Sequence, residues 1–161
     1  IIPMAKYFKE QGHILRFIEF MDVGNSNDWN MEKVVPSKEI LKRLQEEFEL
    51  KPKDPHYYGE VAKRYVYADG GEIGFISSVT EAFCSTCTRA RISAEGKLYT
   101  CLFASTGHDI KELLRNPEIT DETLQEHLRR LWNNREDQYS QLRGKQKEGD
   151  KQKIEMSHIG G

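Results

Sequence analysis

The sequence predicts a mixed fold, of the α/β to α+β class, from three observations. A helix-like segment runs directly into ten mostly apolar residues, 14 to 23, that are typical of a strand. Two alternating segments, 60 to 68 and 72 to 79, flank a glycine-containing turn and predict a hairpin. Leucines at helical spacing occur after residue 110. A chain of 161 residues is long enough for one such domain with its own core.

The charge and composition exclude two classes of partner. The 24 Lys and Arg residues are balanced by 26 Asp and Glu residues, so the formal charge of −2 offers no global basic field for a nucleic-acid backbone. No apolar run approaches the roughly 18 residues of a membrane helix, and no secretory leader opens the chain. We therefore expect a cytoplasmic protein, with no nucleic-acid and no membrane partner, whose thiols stay reduced.

The first part of the chain predicts half of a βαβ unit. Pro3 favours a helix start and Gly12 a left-handed helix end, so we expect a helix over residues 3 to 11. The strand over residues 14 to 23 is apolar enough to be buried on both faces, as in a parallel sheet. Its partner strand would lie upstream, and the chain starts at Ile1 without a methionine. We therefore expect a fragment of a longer protein.

Further helices, a loop and a tail complete the predicted order. Ser37 is expected to cap a helix, residues 51 to 59 to form a loop, and residues 109 to 115 to form a short helix. Thr120 is expected to cap a longer helix. The chain from residue 144 onward is too polar to bury and predicts a mobile tail. The apolar faces of the two capped helices consist of Ile40, Leu41, Leu44 and Phe48 in the first and Leu124, Leu128, Leu131 and Leu142 in the second.

The three cysteines of the chain follow the pattern Cys84-x2-Cys87-x13-Cys101. Two cysteines separated by two residues can bind one metal centre, because the turn between them points both sulfurs inward. A hairpin with a three-residue loop and Gly96 in the left-handed conformation would bring the third cysteine back. In that register Cys87, Arg89, Arg91, Tyr99 and Cys101 share one face of the hairpin. The cross-strand pairs are Arg91 with Tyr99, Arg89 with Cys101 and Cys87 with Phe103.

The three thiols are compatible with more than one kind of metal centre. A [4Fe-4S] cluster held by three cysteines keeps one iron free for an exogenous ligand. Structural zinc almost always takes four protein ligands, and His108 is the nearest fourth candidate. The thiols could also be unrelated and buried, although scattered cysteines rarely fall on one hairpin.

Arginines near these thiols are candidates for binding an anion. Arg89 and Arg91 lie between cysteines, and guanidinium groups suit phosphate oxygens in geometry and in charge. Arg16 lies within the apolar strand, where an unpaired charge would be costly, so we expect it to have a partner or to line a cavity. Arg64 is instead expected to be solvated or paired with a carboxylate.

Three segments resemble one known family: RFIEFMDVGN at residues 16 to 25, GFISSVTEAFCSTCTRARISAEGKLYTCLFA at 74 to 104, and HIGG at 158 to 161. They are similar to the C-terminal half of the radical SAM GTP 3′,8-cyclase of molybdenum cofactor biosynthesis, the MoaA family, and the similarity covers nearly the whole chain. The resemblance implies an incomplete TIM-type (β/α) barrel with a hairpin-rich C-terminal region that binds a cluster. It also implies an enzyme, a lyase, that converts GTP to a cyclised pterin precursor in the first step of molybdopterin synthesis.

The resemblance implies a role for each cysteine and for three arginines. Cys84, Cys87 and Cys101 match the ligands of the family's C-terminal [4Fe-4S] cluster, whose open iron meets the purine of GTP. The arginines that match GTP-binding or channel-lining positions are Arg16, Arg89 and Arg91.

Three further residues and one missing motif follow from the same resemblance. Met21 matches a position near S-adenosylmethionine, and Gly160 with Gly161 match a terminal double glycine that reaches into the active site. The family binds S-adenosylmethionine at a second [4Fe-4S] cluster through a CxxxCxxC motif, which this sequence lacks. The chain alone is therefore expected to be inactive.

The resemblance divides the chain into three parts. Residues 1 to 23 would be the last helix and strand of the barrel, residues 24 to 143 the region that binds the cluster and GTP, and residues 144 to 161 a flexible tail. The expected partners are GTP, the missing N-terminal half, and the cyclic pyranopterin monophosphate synthase that acts on the product. The competing interpretation is a non-enzymatic structural zinc module, with the ligands Cys84, Cys87, Cys101 and His108.

Overall fold

The computed structural model describes residues 1 to 143 and 153 to 159, and it confirms a mixed fold of helices and sheets. The chain forms two compact units. The first unit comprises Ile1–Met21 and Trp29–Cys87, and the second comprises Asp22–Asp28 and Thr88–Gly161. Of the residues described, no helix has both the length and the apolar character that crossing a membrane requires. The predicted division at residues 23 and 143 stays a prediction.

The first unit is built on a four-stranded sheet in the order β1-β4-β3-β2. Strand β1 runs parallel to β4, whereas β4 with β3 and β3 with β2 are antiparallel. The hairpin of β3 with β4 was predicted and is confirmed. A parallel sheet was also predicted for β1, but with a partner upstream, whereas its parallel partner here is the downstream strand β4. The elements of this unit are α1 (Ile2–Glu10), β1 (Leu15–Ile18), α2 (Ser37–Gln45), β2 (Leu50–Lys53), β3 (Lys63–Tyr67) and β4 (Glu72–Ile76), with short 3₁₀ turns at Met31–Lys33 and Cys84–Thr86.

The core of the first unit joins both helices to the sheet. Phe75 of β4 lies at its centre, with ring centroids 5.9 Å from Phe17 and 5.6 Å from Tyr65. Burying large aromatic and aliphatic side chains in this way supplies most of the favourable free energy of folding. The buried members of this core are Ala5, Ile40, Leu44, Leu50, Tyr67, Ile73 and Phe75.

The prediction of a strand over residues 14 to 23 that is buried on both faces was wrong. β1 has four residues, and exposed positions alternate with half-buried ones along it, because only the face of Leu15 and Phe17 packs against the core. Ile14, Ile18 and Phe20 remain exposed. An apolar composition indicates a strand, but it cannot tell whether a second layer covers the strand.

Three local predictions in the first unit also need correction. Pro36 is the N-cap of α2, and Ser37 is the first helical residue with no capping hydrogen bond from its side chain. The helix ends at Gln45, so Phe48 packs on the core from the following turn. The predicted loop at residues 51 to 59 begins as strand β2, which tolerates Pro52 because β2 is an edge strand.

The second unit contains a three-stranded antiparallel sheet, in the order β5-β6-β7, followed by helices. The predicted hairpin register is confirmed, because Arg91 pairs with Tyr99 and Gly96 has a φ of +82°. Residues 153 to 159 of the predicted tail include a short 3₁₀ helix, whereas Gly160 and Gly161 lie outside the described residues. The elements are β5 (Arg91–Ile92), β6 (Lys97–Tyr99), β7 (His108–Asp109), α3 (Lys111–Arg115), α4 (Asp121–Asn133), α5 (Tyr139–Leu142) and the 3₁₀ helix Met156–Ile159.

The helical predictions in the second unit are confirmed except at one end. Thr120 caps α4, since its hydroxyl accepts a hydrogen bond of 3.3 Å from the backbone N–H of Thr123. Helix α4 ends at Asn133, so Leu142 belongs to the separate helix α5 and not to the face of α4. Helical spacing assigned Leu142 to the face of α4, because residues 134 to 138 contain neither proline nor glycine that would indicate a break in the helix.

Candidate functional site

Cys84 and Cys87 are held at the two ends of one 3₁₀ turn. The backbone N–H of Cys87 donates to the carbonyl of Cys84 at 3.2 Å, and the N–H of Thr86 donates to the carbonyl of Phe83 at 3.3 Å. Neither cysteine forms a disulfide, and both have intermediate exposure. The turn therefore keeps two thiols close along the chain and within reach of a ligand from solvent.

Cys101 occupies a turn that follows β6 in the second unit. Its sulfur accepts a hydrogen bond of 3.4 Å from the backbone N–H of Phe103, and Cys101 is half-buried and forms no disulfide. The neighbouring Thr100 is buried and donates its hydroxyl to the carboxylate of Asp137. Because β5 pairs only at Arg91–Ile92 and β6 only at Lys97–Tyr99, strand pairing does not fix the expected pairs of Cys101 and Cys87.

The residue type of the three candidate ligands suits an iron-sulfur cluster, because cysteine thiolates are the ligands that such clusters use. None of the three cysteines forms a disulfide. Cys84 and Cys87 belong to the first unit, and Cys101 belongs to the second. Among residues 1 to 143 and 153 to 159, no three His, Cys, Asp or Glu side chains are grouped as a metal site. His108, the predicted zinc ligand, is an exposed residue of β7.

The structure places the candidate arginines in different environments. Arg89 and Arg91 are half-buried, and Arg91 lies on β5 opposite Tyr99. Arg16 is exposed on β1, and the expectation that it has a partner or lines a cavity stays a prediction. A Cβ on Gly74 would lie 3.2 Å from Cγ of Arg16, so the glycine leaves room for the arginine stem across β4. Arg64 is paired as predicted, donating to Glu72 at 2.6 Å.

Glu19 forms a buried hydrogen-bonding centre in the first unit that sequence reasoning missed. One carboxylate oxygen accepts from the backbone N–H of Ser37 at 2.8 Å and from the hydroxyl of Thr80 at 2.6 Å. The other oxygen accepts from the backbone N–H groups of Val79 and Thr80, each at 2.8 Å. The side chain thus ties the end of β1 to the start of α2 and to the segment that leads to Cys84.

The environment of Glu19 favours its charged form. Burial raises the pKa of the carboxyl group, but hydrogen bonds from the Thr80 hydroxyl and from backbone N–H groups outweigh burial, and the pKa lies below its ordinary value. The residue is 3% exposed. A buried carboxylate with four donors is a structural support, and its only sequence signal is an acid at the end of an apolar strand.

Asp22 forms the corresponding centre in the second unit and was also missed. Its carboxylate accepts from the hydroxyl of Tyr139 at 2.5 Å and from Nε of Arg143 at 3.0 Å, and Nη2 of Arg143 lies 2.9 Å from the same oxygen as Nε in an ion pair. The ammonium of Lys153 lies 3.3 Å from the same carboxylate. The ring of Tyr139 stacks on Phe103, with centroids 4.4 Å apart. Asp22 therefore connects the chain beside Cys101 with residues near the C-terminus.

The charges around Asp22 explain two shifted pKa values. Burial raises the pKa of Asp22, but the hydrogen bonds from Tyr139 and Arg143 and the positive charges of Arg143 and Lys153 bring it below its ordinary value. The pKa of Tyr139 is raised, first by burial and then by its hydrogen bond to Asp22. Asp22 is thus charged and Tyr139 neutral near pH 7, which suits a hydroxyl donating to a carboxylate.

Comparisons with known proteins identify the family. The family model described as Molybdenum Cofactor Synthesis C matches residues 13–141. A GTP 3′,8-cyclase from Staphylococcus epidermidis is 52% identical over 165 aligned residues, which cover 100% of this chain and 48% of that protein. Enzymes of the same name from Staphylococcus carnosus and Staphylococcus aureus are 49% identical with the same coverage. The chain spans about half the length of these curated relatives. The chain therefore belongs to the Molybdenum Cofactor Synthesis C family, and the family prediction made from its sequence is confirmed.

Proposed function

We propose that this chain is the C-terminal half of a GTP 3′,8-cyclase and forms the substrate side of its active site. The observation that carries the proposal is the identity of 49 to 52% over the whole chain to enzymes of that name. The pairing of Cys84 with Cys87 in one turn, and of the β5-β6 hairpin in the expected register, supports it. Helix α1 followed directly by the edge strand β1 also supports the end of an incomplete TIM-type barrel, in which α1 would follow an upstream strand.

The three cysteines would hold a [4Fe-4S] cluster, which supplies one iron that no cysteine ligates for contact with the purine of GTP. Arg89 and Arg91 would donate to the phosphate oxygens, and their half-buried positions strengthen such charged hydrogen bonds relative to solvent. By fixing both ends of the nucleotide, these residues would hold the ribose in a constant orientation for attack.

Other parts of the reaction would depend on a motif that this sequence lacks and on four further residues that it contains. S-adenosylmethionine and a second [4Fe-4S] cluster need the CxxxCxxC motif, which is absent from the sequence. Met21 would approach S-adenosylmethionine, Arg16 would line the channel, and Gly160 with Gly161 would enter the active site. The cyclised product would pass to the cyclic pyranopterin monophosphate synthase.

Anaerobic reconstitution with iron and sulfide tests the cluster assignment. We expect about four irons per chain at this site, and a change in the EPR spectrum of the cluster when GTP is added. Cys101→Ser should lower the iron content and remove the response to GTP. The control Ser85→Ala, in the turn Cys84–Thr86, should change neither. A colourless protein that binds one zinc and does not respond to GTP would instead establish the structural zinc module.

Arg89→Ala and Arg91→Ala test the anchoring of GTP in the full-length protein. Each lost charged hydrogen bond should weaken GTP binding by about 1.5 to 3 kcal/mol, measured by calorimetry. Arg115→Ala is the matched control, because Arg115 is an exposed residue at the end of α3. Unchanged affinity in both test variants would show that these arginines have a structural role.

A further inference from the structure

Residues 22 to 25 form a turn, which we call the anchoring turn. It holds residues 153 to 159, which we call the C-terminal segment. The two are more than 125 residues apart in sequence, yet both belong to the second unit. Because the C-terminal segment is mostly polar, apolar burial alone does not hold it, and specific hydrogen bonds must do so.

The side chain of Asn25 forms hydrogen bonds with both backbone groups of Lys153 in the C-terminal segment. Its side-chain amide donates to the carbonyl of Lys153 at 2.6 Å, and its amide oxygen accepts from the N–H of Lys153 at 3.3 Å. Its own backbone N–H donates to the carboxylate of Glu155 at 2.7 Å. One side chain thus satisfies both polar groups of a single peptide residue, which fixes the position of that residue along the chain.

Asp22 holds the same residue from the other side. The ammonium of Lys153 donates to the carbonyl of Asp22 at 2.8 Å and lies 3.3 Å from its carboxylate. The carboxylate is 3% exposed, and its remaining contacts are with Tyr139 and Arg143 of the α5 region. Asp22 therefore connects the start of the C-terminal segment with Tyr139, which stacks on Phe103. Phe103 is two residues from Cys101 in the sequence.

The far end of the C-terminal segment is fixed by a different kind of contact. Ile159 is 1% exposed and is among the largest fully buried side chains. Gly24 has a φ of +68°, and a Cβ there would lie 2.2 Å from the carboxylate of Glu155, so this glycine leaves room for the segment. The segment is fixed by polar contacts at Lys153 and Glu155 and by apolar burial at Ile159, its last residue.

We propose that Asp22 and Asn25 are positioning residues that fix the C-terminal segment, and so set the point from which Gly160 and Gly161 extend. This inference rests on the proposed function, in which the double glycine enters the active site. The anchoring turn directly follows Met21, and its buried carboxylate also reaches the aromatic pair near Cys101. A single network therefore sets the C-terminal segment relative to the residues beside a candidate cluster ligand.

Hydrogen exchange measured by mass spectrometry on the full-length protein tests the attachment. Asn25→Ala removes the contacts to both backbone groups of Lys153, and Lys153→Met removes the two contacts to Asp22 while keeping the length of the side chain. We expect each to speed exchange of the peptide covering residues 153 to 159 by about tenfold or more. Exchange of α4 should be unchanged, as should exchange of residues 153 to 159 in the control Asn116→Ala, whose side chain accepts only locally, from the N–H of Glu118.

Steady-state kinetics then test positioning. Asn25→Ala should lower kcat for GTP with little change in KM, and it should have no further effect in a protein truncated after residue 153. Unchanged exchange of residues 153 to 159 in both variants would overturn the proposal. Faster exchange with unchanged kcat would also overturn it, because the network would then be structural only. If the unaltered full-length protein does not convert GTP, the proposed function fails, and the exchange result still decides whether the anchoring turn holds the segment.

Discussion

Replacing Glu19 with glutamine tests whether its buried carboxylate holds the first unit together. Glutamine has nearly the same shape, but it presents one acceptor oxygen and one NH₂ group to four donors. Its favourable orientation places the oxygen toward the N–H groups of Val79 and Thr80. The NH₂ group then faces the N–H of Ser37, which loses its acceptor, and the hydroxyl of Thr80, which can rotate to accept.

The expected loss of stability follows from that orientation. One charged hydrogen bond, from the N–H of Ser37, is lost, and such a bond contributes about 1.5 to 3 kcal/mol. The remaining contacts of Glu19 become neutral ones, which are weaker. We therefore expect the free energy of unfolding to fall by about 2 to 3 kcal/mol near pH 7, measured by urea denaturation with circular dichroism.

The difference between Glu19→Gln and the unaltered protein should also depend on pH. The folded pKa of Glu19 lies below the ordinary value of 4.5, so the stabilisation is complete above pH 4.5 and is lost as the pH falls through the folded pKa. Glutamine does not titrate, so the two proteins should converge in stability at low pH. The control Glu39→Gln alters an exposed pair with Arg43 and should cost no more than about 0.5 kcal/mol. A loss for Glu19→Gln no larger than that of the control, or the same difference at every pH, would refute the reasoning.

Two further predictions concern stability in the second unit. Gly96→Ala should destabilise by more than Gly12→Ala, because both glycines have positive φ but only at Gly96 would a Cβ lie 2.7 Å from Cβ of Lys111. The strain alone is about 1 kcal/mol at each position, so equal melting temperatures in the two variants would contradict the steric argument. Thr120→Ala should cost about 1 kcal/mol through loss of the N-cap of α4, with Thr120→Ser restoring most of it in thermal denaturation.

Local chemistry explains which parts of the fold could be predicted. Gly96 in a three-residue loop fixes the hairpin register, so the Arg91–Tyr99 pair follows from a turn that a few adjacent residues encode. The cap at Thr120 and the parallel strand after α1 are equally local signals. The limits of β1 were not predictable in the same way, because its exposure depends on which strand or layer lies beside it.

The two buried acids were missed because their partners are remote in sequence. Glu19 meets Thr80 across 61 residues, and Asp22 meets Tyr139 across 117. Periodicity marks which face of an element is apolar, but it carries no information about which distant donors meet a carboxylate. A charged residue at the end of an apolar strand is the one signal available, and here it occurs twice within four residues.

The two buried acids, Glu19 and Asp22, fix both ends of the short segment between them. Each is 3% exposed, and each is saturated by hydrogen bonds, Glu19 within the first unit and Asp22 within the second. Met21 lies between them in sequence, so the backbone on both sides of it is fixed by a buried carboxylate. An unpaired buried charge is costly, so removing the donors on either side would destabilise that unit and release one end of this segment. Substitutions at Glu19 should therefore act on the segment that leads to Cys84, and substitutions at Asp22 on the C-terminal segment, with Met21 affected by both.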